Sequence, residues 1–245
     1  MTRPRLLVAC LGTATEVGKT WVGAAVLAEL RRRGAFVAAR KPAQSFDPTA
    51  EEPTDAQVLA TATGETPGQV APEHRSYPIA LAPPMAAARL GQPAPLLAHL
   101  LNELRWPPDC DLGWLETVGG VRSPVAADAD SRGLVQAVAP DRVVLVGDAS
   151  LGAIGAIGSA LDSLALGIER SSRRPPAAAD GDGVNDQANL ATRTTVFLNR
   201  FDPADPTHLE NLGWLGERLA QPIHTDVTLL AGALLADGLN PGHQG

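Results

Sequence analysis

Residues 11–20 read Leu-Gly-Thr-Ala-Thr-Glu-Val-Gly-Lys-Thr, and this stretch decides the fold. An apolar run, residues 6–10, precedes it, and an amphipathic run, residues 21–33, follows it. The order of strand, glycine loop and helix is typical of a loop that holds a nucleotide phosphate. Backbone N–H groups face inward and the new helix adds its positive end, while Lys19 can reach the terminal phosphates and the Thr20 hydroxyl can ligate Mg²⁺.

The spacing within this loop is a variant of the usual one. A phosphate loop normally has a glycine, four further residues and then Gly-Lys-Ser/Thr. Here Thr13 occupies the first position and Gly12 lies one residue earlier. A chance Gly-Lys-Thr in a surface turn is the alternative interpretation, and the strand and helix on either side argue against it.

Composition limits the class of protein. The chain has 245 residues, of which 44% are hydrophobic, and a net charge of −7. We expect a single domain over residues 1–245, and no nucleic-acid partner because no broad basic face is implied. Cys10 and Cys110 lie in apolar segments, which favours buried free thiols and a cytoplasmic location. The run after the N-terminus is too short for a signal peptide, and no run is long enough for a membrane helix, so no membrane association is expected.

Strand and helix patterns alternate along the chain. They predict strands at 5–11, 35–40, 111–117, 142–147 and 194–199, and helices at 19–33, 55–63, 94–104, 130–138, 151–166, 207–219 and 227–236. This order predicts an α/β fold, a mostly parallel sheet with helices on both faces, in the three-layer arrangement of P-loop NTPases. We expect residues 76–91 to be irregular and residues 168–193 to be a flexible surface insertion.

Polar side chains at the ends of the predicted strands form a candidate catalytic set. Lys41 follows the second strand, Asp55 follows the next loop, and Glu116 ends the strand at 111–117. Thr20, Asp55 and Glu116 could supply the oxygen ligands that Mg²⁺ prefers, and a second lysine can neutralise charge during phosphoryl transfer. Taken singly, Asp55 could instead cap a helix and Lys41 could be a solvated loop lysine.

Five segments in order along the chain resemble the dethiobiotin synthetase family. They are the loop at 12–20, Lys41-Pro42-Ala43-Gln44-Ser45, Thr54-Asp55-Ala56, Glu116-Thr117-Val118-Gly119-Gly120, and residues 149–154, with Asn199 where the family places an adenine-contacting asparagine. The resemblance extends from residue 5 to about residue 200.

The resemblance implies a reaction. The family uses CO₂, ATP and Mg²⁺ to close a ureido ring on 7,8-diaminononanoate. It implies catalytic roles for Lys19 and Lys41, with Thr15 and Ser45 binding the carbamate, and a metal site at Thr20, Asp55 and Glu116. The implied nucleotide site comprises Gly12, Thr13, Ala14, Thr15, Glu16, Val17, Gly18, Lys19, Thr20, Glu116, Gly119 and Asn199.

The resemblance also implies a homodimer, in which the helix that starts at Gly152 offers N–H groups to the substrate carboxylate of the partner subunit. Thr117 and Val118 replace a small Gly-Ala pair of the family, and Gly155 replaces an asparagine. Two alternatives therefore remain open. One is a divergent paralogue that acts as another amide-forming ligase, and the other is a nucleotide switch of the partitioning type.

Overall fold

The computed structural model describes residues 3–166 and 189–239. Its strands are β1 (Leu6–Gly12), β2 (Val37–Arg40), β3 (Gln44–Ser45), β4 (Ser76–Tyr77), β5 (Leu112–Gly120), β6 (Pro124–Ala126), β7 (Ala129–Asp130), β8 (Arg142–Asp148), β9 (Thr194–Asn199) and β10 (Ile223–His224). Its α-helices are α1 (Lys19–Arg32), α2 (Asp55–Thr63), α3 (Pro67–Val70), α4 (Pro83–Arg89), α5 (Leu97–Glu103), α6 (Ser131–Val138), α7 (Ala153–Ala165), α8 (Pro206–Arg218) and α9 (Val227–Leu239).

Six strands form one sheet in the order β10-β9-β8-β1-β5-β2. Every neighbouring pair in it is parallel. Two further pairs, β3 with β4 and β6 with β7, lie outside this sheet. In a parallel sheet the carboxyl ends of all strands meet at one edge, so the segments that follow β1, β2 and β5 converge there.

Helices cover both faces of the sheet. Successive side chains of β1 alternate between the faces, so that Val8 and Cys10 pack with α1, α2 and α9, whereas Ala9 and Leu11 pack with α7 and α8. Because both of its faces are buried, the sequence of β1 is apolar throughout and does not alternate with polar residues. The expected α/β architecture, a parallel sheet between two helical layers, is confirmed.

The prediction that residues 76–91 are irregular is wrong. Ser76 and Tyr77 form β4, and α4 follows at Pro83–Arg89. Pro83 and Pro84 stand in the first turn of this helix, where a missing backbone N–H costs nothing. The Pro/Ala composition therefore marked a helix start, and Ala86 and Ala87 are fully buried on its inner face.

The predicted insertion at 168–193 is partly corrected. Residues 168–188 lie outside the described residues. Residues 190–193 form a single 3₁₀ turn directly before β9, and its Leu190 and Ala191 are buried in the core cluster on the α7 face. Residues 190–193 therefore belong to the packed fold, and the insertion over the preceding residues stays a prediction.

Both cysteines are free and buried, as predicted. Within residues 3–166 and 189–239, no helix has the length and hydropathy needed to cross a lipid bilayer.

Candidate active site

The loop between β1 and α1 is tightly wound. Glu16 has a φ of 63° and Gly18 a φ of 89°, and Gly18 is the residue from which α1 begins. A Cβ on Gly18 would lie 2.1 Å from Asn199 Nδ2, and one on Gly12 would lie 2.8 Å from the carbonyl oxygen of Ala14. Glycine is therefore required at both positions, and Gly12 serves the loop although it precedes the usual position by one residue.

Beside the loop, four side chains form a group that we call the inner cluster: Thr20, Lys41, Asp55 and Glu116. Lys41 Nζ lies 2.5 Å from Asp55 Oδ2 and 2.5 Å from Glu116 Oε1. Thr20 Oγ1 lies 2.8 Å from Asp55 Oδ1 and 2.8 Å from Glu116 Oε1. The structure thus brings together the three predicted metal ligands and one of the two predicted catalytic lysines.

Each member of the inner cluster is held by a different element. Lys41 directly follows β2, and its backbone N–H donates to the carbonyl of Val70 over 2.8 Å. Asp55 is the first residue of α2, whereas Thr54 caps that helix through its hydroxyl. Because Thr54 is the helix cap, the alternative interpretation of Asp55 as a helix cap is wrong. Lys41 is only 3% exposed, so it is not a solvated loop lysine either.

Glu116 lies inside a strand, not at its end as predicted. β5 continues to Gly120, and Glu116 stands opposite Cys10 of β1 with no exposed surface. The β1–β5 register shifts just beyond this pair, between Cys10 and Gly12. This irregularity lets the chain run on past the acid, which a local sequence pattern does not reveal.

The charges of the inner cluster shift its pKa values in opposite directions. Burial alone would lower the pKa of Lys41, but the carboxylates of Glu116 and Asp55 together hold that pKa above its ordinary value. Burial would raise the pKa of Asp55, but Lys41 and the Thr20 hydroxyl keep it below its ordinary value. Lys41 is therefore a permanent cation at neutral pH, and Asp55 is ionised.

Lys19, at the first turn of α1, is also buried, with 7% of its surface exposed. Burial, and then the charge of Lys41, lower the pKa of its amine. Lys19 and Lys41 are the only lysines in the whole sequence. The side-chain amines of both lysines thus lie beside the phosphate loop.

The donor set fits a magnesium ion. Glu116 Oε2 is buried and has no hydrogen-bond partner among the described residues. The Thr20 hydroxyl has one proton, so it donates to only one of the two carboxylate oxygens at 2.8 Å, and its lone pairs remain free to face a cation. Within the described part of the chain no three His, Cys, Asp or Glu side chains form a metal site, so the candidate ligands are two carboxylates and a hydroxyl.

A second group contacts the loop at the β8–β9 edge, and we call it the outer brace: Asp148, Asn199 and Arg200. Asn199 Nδ2 donates to the carbonyl of Val17 over 2.9 Å, and Arg200 Nη2 donates to the carbonyl of Glu16 over 2.8 Å. Arg200 Nη1 lies 2.6 Å from Asp148 Oδ2. Asp148 and Arg200 are not among the site residues predicted from the sequence, although both lie at or directly after the end of a strand.

Other predicted site residues lie around these two groups. Asn199 is buried and its amide nitrogen is bound to the loop, so its contact with adenine stays a prediction. Thr15 is exposed, and its Oγ1 lies 3.3 Å from where a Cβ on Gly119 would be. Ser45 is in β3, and its Oγ is buried and has no hydrogen-bond partner among the described residues. Gln44 beside it accepts from the backbone N–H of Ala56, next to Asp55.

The three residues that depart from the family pattern have identifiable environments. The Thr117 hydroxyl donates to the carbonyl of Cys10 over 3.1 Å, within the sheet. Val118 packs against an apolar cluster that includes Leu134. A Cβ on Gly155 would have no atom of the described chain within 4 Å, beyond its own helix and chain neighbours, so a larger residue would fit there too.

Known proteins similar to the chain share one description. It is 30% identical over 216 residues to the "ATP-dependent dethiobiotin synthetase BioD" of Xanthomonas euvesicatoria pv. vesicatoria (strain 85-10), covering 86% of this chain and 85% of that one. It is 37% identical over 159 residues to the protein of that description in Phenylobacterium zucineum (strain HLK1), covering 62% of this chain and 68% of the relative.

No family model matches the chain. Among solved structures, the signal recognition particle receptor FtsY from Elizabethkingia anophelis superposes with a TM-score of 0.46 at 14% identity, over 95% of this chain and 66% of that one.

Proposed function

Because the chain belongs to the family of ATP-dependent dethiobiotin synthetases, we propose that it is an ATP-dependent ligase that carboxylates 7,8-diaminononanoate with CO₂ and closes the ureido ring of dethiobiotin. The observation that carries the proposal is the convergence of Lys41, Asp55, Glu116 and Thr20 beside a phosphate loop. A permanent cation, two carboxylates and a hydroxyl are what the transfer of a phosphoryl group to a carbamate requires.

The phosphates would be held by the loop and by Lys19. The amides of the loop point at a triphosphate as fixed donors, and the N-terminus of α1 adds its partial positive charge. Lys19 is buried, and among the described residues it has no hydrogen-bond acceptor, so its amine is available to phosphate oxygens. Thr20, Asp55 and Glu116 would hold Mg²⁺, which neutralises charge on the phosphate oxygens when bound.

The chemistry proceeds in three steps, and the proton that each amine releases passes to water. One amine of the substrate adds to CO₂ and loses a proton, which gives a carbamate. A carbamate oxygen attacks the γ-phosphorus, the bond to the β-phosphate oxygen breaks, and ADP leaves. The second amine then attacks the carbonyl carbon, and inorganic phosphate leaves as the ring closes.

Lys41 serves these steps as a fixed positive charge. The carboxylates of Asp55 and Glu116, each 2.5 Å from its Nζ, favour its charged form. The charge of Lys41 stabilises the carbamate and the phosphoryl group in transfer. Thr15 on the loop and Ser45 in β3 would accept or donate hydrogen bonds at the carbamate, and the unpaired Ser45 Oγ supports this role.

A homodimer would complete the site. The start of α7 is open to the surroundings, because Gly152 and Leu151 are exposed, with Leu151 at 90%. Backbone N–H groups at this helix start can bind the substrate carboxylate of the partner subunit. Sedimentation of the purified chain measures its oligomeric state, and a monomer that makes product at full rate would contradict this part of the proposal.

The two alternatives have less support. A partitioning-type switch needs an extra lysine near the start of the loop, and the chain has lysine only at positions 19 and 41. A divergent ligase was suggested by Thr117, Val118 and Gly155. The Thr117 hydroxyl is bound within the sheet and Val118 packs in an apolar cluster, whereas the space beside Gly155 leaves this alternative open.

One assay tests the proposal directly. Purified protein is incubated with diaminononanoate, bicarbonate, Mg²⁺ and ATP, and the product is identified by mass. We expect dethiobiotin from the native chain and none from Lys19→Ala, because the loop then lacks its phosphate-binding amine. Arg142→Ala removes a surface ion pair with Asp237 and serves as the matched control, with unchanged turnover. Full turnover by Lys19→Ala would refute the phosphate-loop role, and another product would favour the divergent ligase.

A further inference from the structure

The outer brace donates hydrogen bonds to two consecutive carbonyl groups of the loop. The carbonyl of Glu16 accepts from Arg200, and the carbonyl of Val17 accepts from Asn199. A trans peptide is planar, and its N–H points away from its C=O. The N–H groups of Val17 and Gly18 share these two peptide planes, so they point to the opposite side of the loop, where a bound phosphate would accept them.

This orientation needs support from outside the loop. Glu16 has a φ of 63°, a left-handed conformation that is unfavourable for a residue with a side chain. Arg200 also has a positive φ, 56°, directly after β9, which places its guanidinium beside the loop. Asp148, at the end of β8, holds that guanidinium through the 2.6 Å contact.

We propose that Arg200, held by Asp148, is a positioning residue that keeps the Glu16–Val17 peptide turned so that the loop amides face the nucleotide phosphates. This inference rests on the proposed function only in taking the loop to be the phosphate site. Arg200 does not touch the reacting atoms in this role. It acts through the loop backbone, so its contribution is to phosphate affinity and not to recognition of the base.

The test measures binding in the absence of diaminononanoate. Arg200→Ala should raise the dissociation constants of Mg-ATP and Mg-ADP by about tenfold, which corresponds to about 1.4 kcal/mol. Arg200→Ala should raise the dissociation constant of inorganic tripolyphosphate by the same factor, because the loop amides contact only the phosphates. Calorimetry of the full chain measures all three.

Matched variants separate positioning from a general loss of structure. Arg200→Lys retains a donor for the Glu16 carbonyl and should recover most of the affinity. Asp148→Asn should weaken binding less than Arg200→Ala, and combining them should weaken it no further, because both act through one contact. Arg142→Ala, which breaks the exposed pair with Asp237, should leave all constants unchanged.

Kinetics supply a second readout. In the dethiobiotin assay, Arg200→Ala should raise the KM for ATP more than it lowers kcat and should leave the KM for diaminononanoate unchanged. Native affinity for tripolyphosphate in Arg200→Ala would overturn the inference, as would a loss confined to adenine nucleotides, which would indicate direct contact with the base. Because binding is measured without the second substrate, a native chain that makes no dethiobiotin would refute the proposed function and leave this test intact.

Discussion

The inner cluster and the outer brace border the same loop, but the Lys41–Glu116 pair of the first and the Arg200 side chain of the second differ in exposure to water. Lys41 and Glu116 in the inner cluster have side chains 3% and 0% exposed, whereas the Arg200 side chain in the outer brace is 58% exposed. A buried charge without its partner is strongly destabilising, whereas an exposed ion pair contributes little to stability. We conclude that the Lys41–Glu116 pair links chemistry to folding, and that Arg200 of the outer brace affects binding with little effect on folding.

The largest expected effect comes from removing the cation of the inner cluster. Lys41→Met keeps the apolar stem but removes the cation that contacts both carboxylates. We expect the free energy of unfolding to fall by about 3 kcal/mol at neutral pH, and product formation to fall at least a hundredfold. Urea titration and the dethiobiotin assay measure the two, with Arg142→Met as the control for loss of an exposed cation. A stability equal to that of the native chain would show that the cluster is not coupled to folding.

The second test removes one unpaired carboxylate as well. Glu116→Gln in the Lys41→Met background takes away the buried negative charge, so part of the lost stability should return. We expect the double variant to be more stable than the sum of the single effects by about 1–2 kcal/mol. Strict additivity in a double-mutant cycle would mean that Lys41 and Glu116 do not interact energetically, contrary to their 2.5 Å contact.

A third test uses pH. The pKa of Asp55 is held below its ordinary value of 3.8, because Lys41 and Thr20 offset the effect of burial. A depressed carboxyl pKa stabilises the fold above the unfolded pKa, and this contribution is lost as pH falls through the folded value. Asp55→Asn should therefore be less stable than the native chain at neutral pH, and the difference should shrink below about pH 4. Acid-unfolding curves test this, with the exposed-loop variant Glu52→Gln expected to follow the native curve throughout.

The smallest expected effect is the change in the protein's folding stability when the outer brace is broken. Arg200→Ala should change the free energy of unfolding without nucleotide by less than about 1 kcal/mol, because the ion pair with Asp148 is largely solvated. The same variant is expected to lose nucleotide affinity. A thermal midpoint that falls as far as that of Lys41→Met would remove the contrast between the two groups.

Much of the fold could be predicted because its signals are local. α2 runs from Asp55 to Thr63 as the helical pattern predicted, and its Thr54–Gln57 capping box lies within four residues. The parallel sheet followed from alternating strand and helix patterns. Residues 76–91 were misjudged because proline marks both loops and the first turns of helices, and only the burial of Ala86 and Ala87 distinguishes the two.

The candidate site was predicted in part for a similar reason. The rule that active groups gather at the carboxyl ends of parallel strands correctly selected Lys41, Asp55 and Thr20 as neighbours. It could not reveal that Glu116 lies within β5, because the register shift between β1 and β5 depends on the pairing of two distant strands. Nor could it reveal that Asn199 is bound to a carbonyl 182 residues away.

By itself the sequence determined the phosphate loop, the layered α/β fold and the set of ionisable side chains. That set includes only two lysines, Lys19 and Lys41. These depend on residue types and spacings over ten or so neighbouring positions. Only the tertiary structure decided which oxygen contacts which amine, and that Arg200 reaches the Glu16 carbonyl. Lys41 and Glu116 are 75 positions apart and Glu16 and Arg200 are 184 apart, so strand register and helix packing over the whole sheet set these contacts.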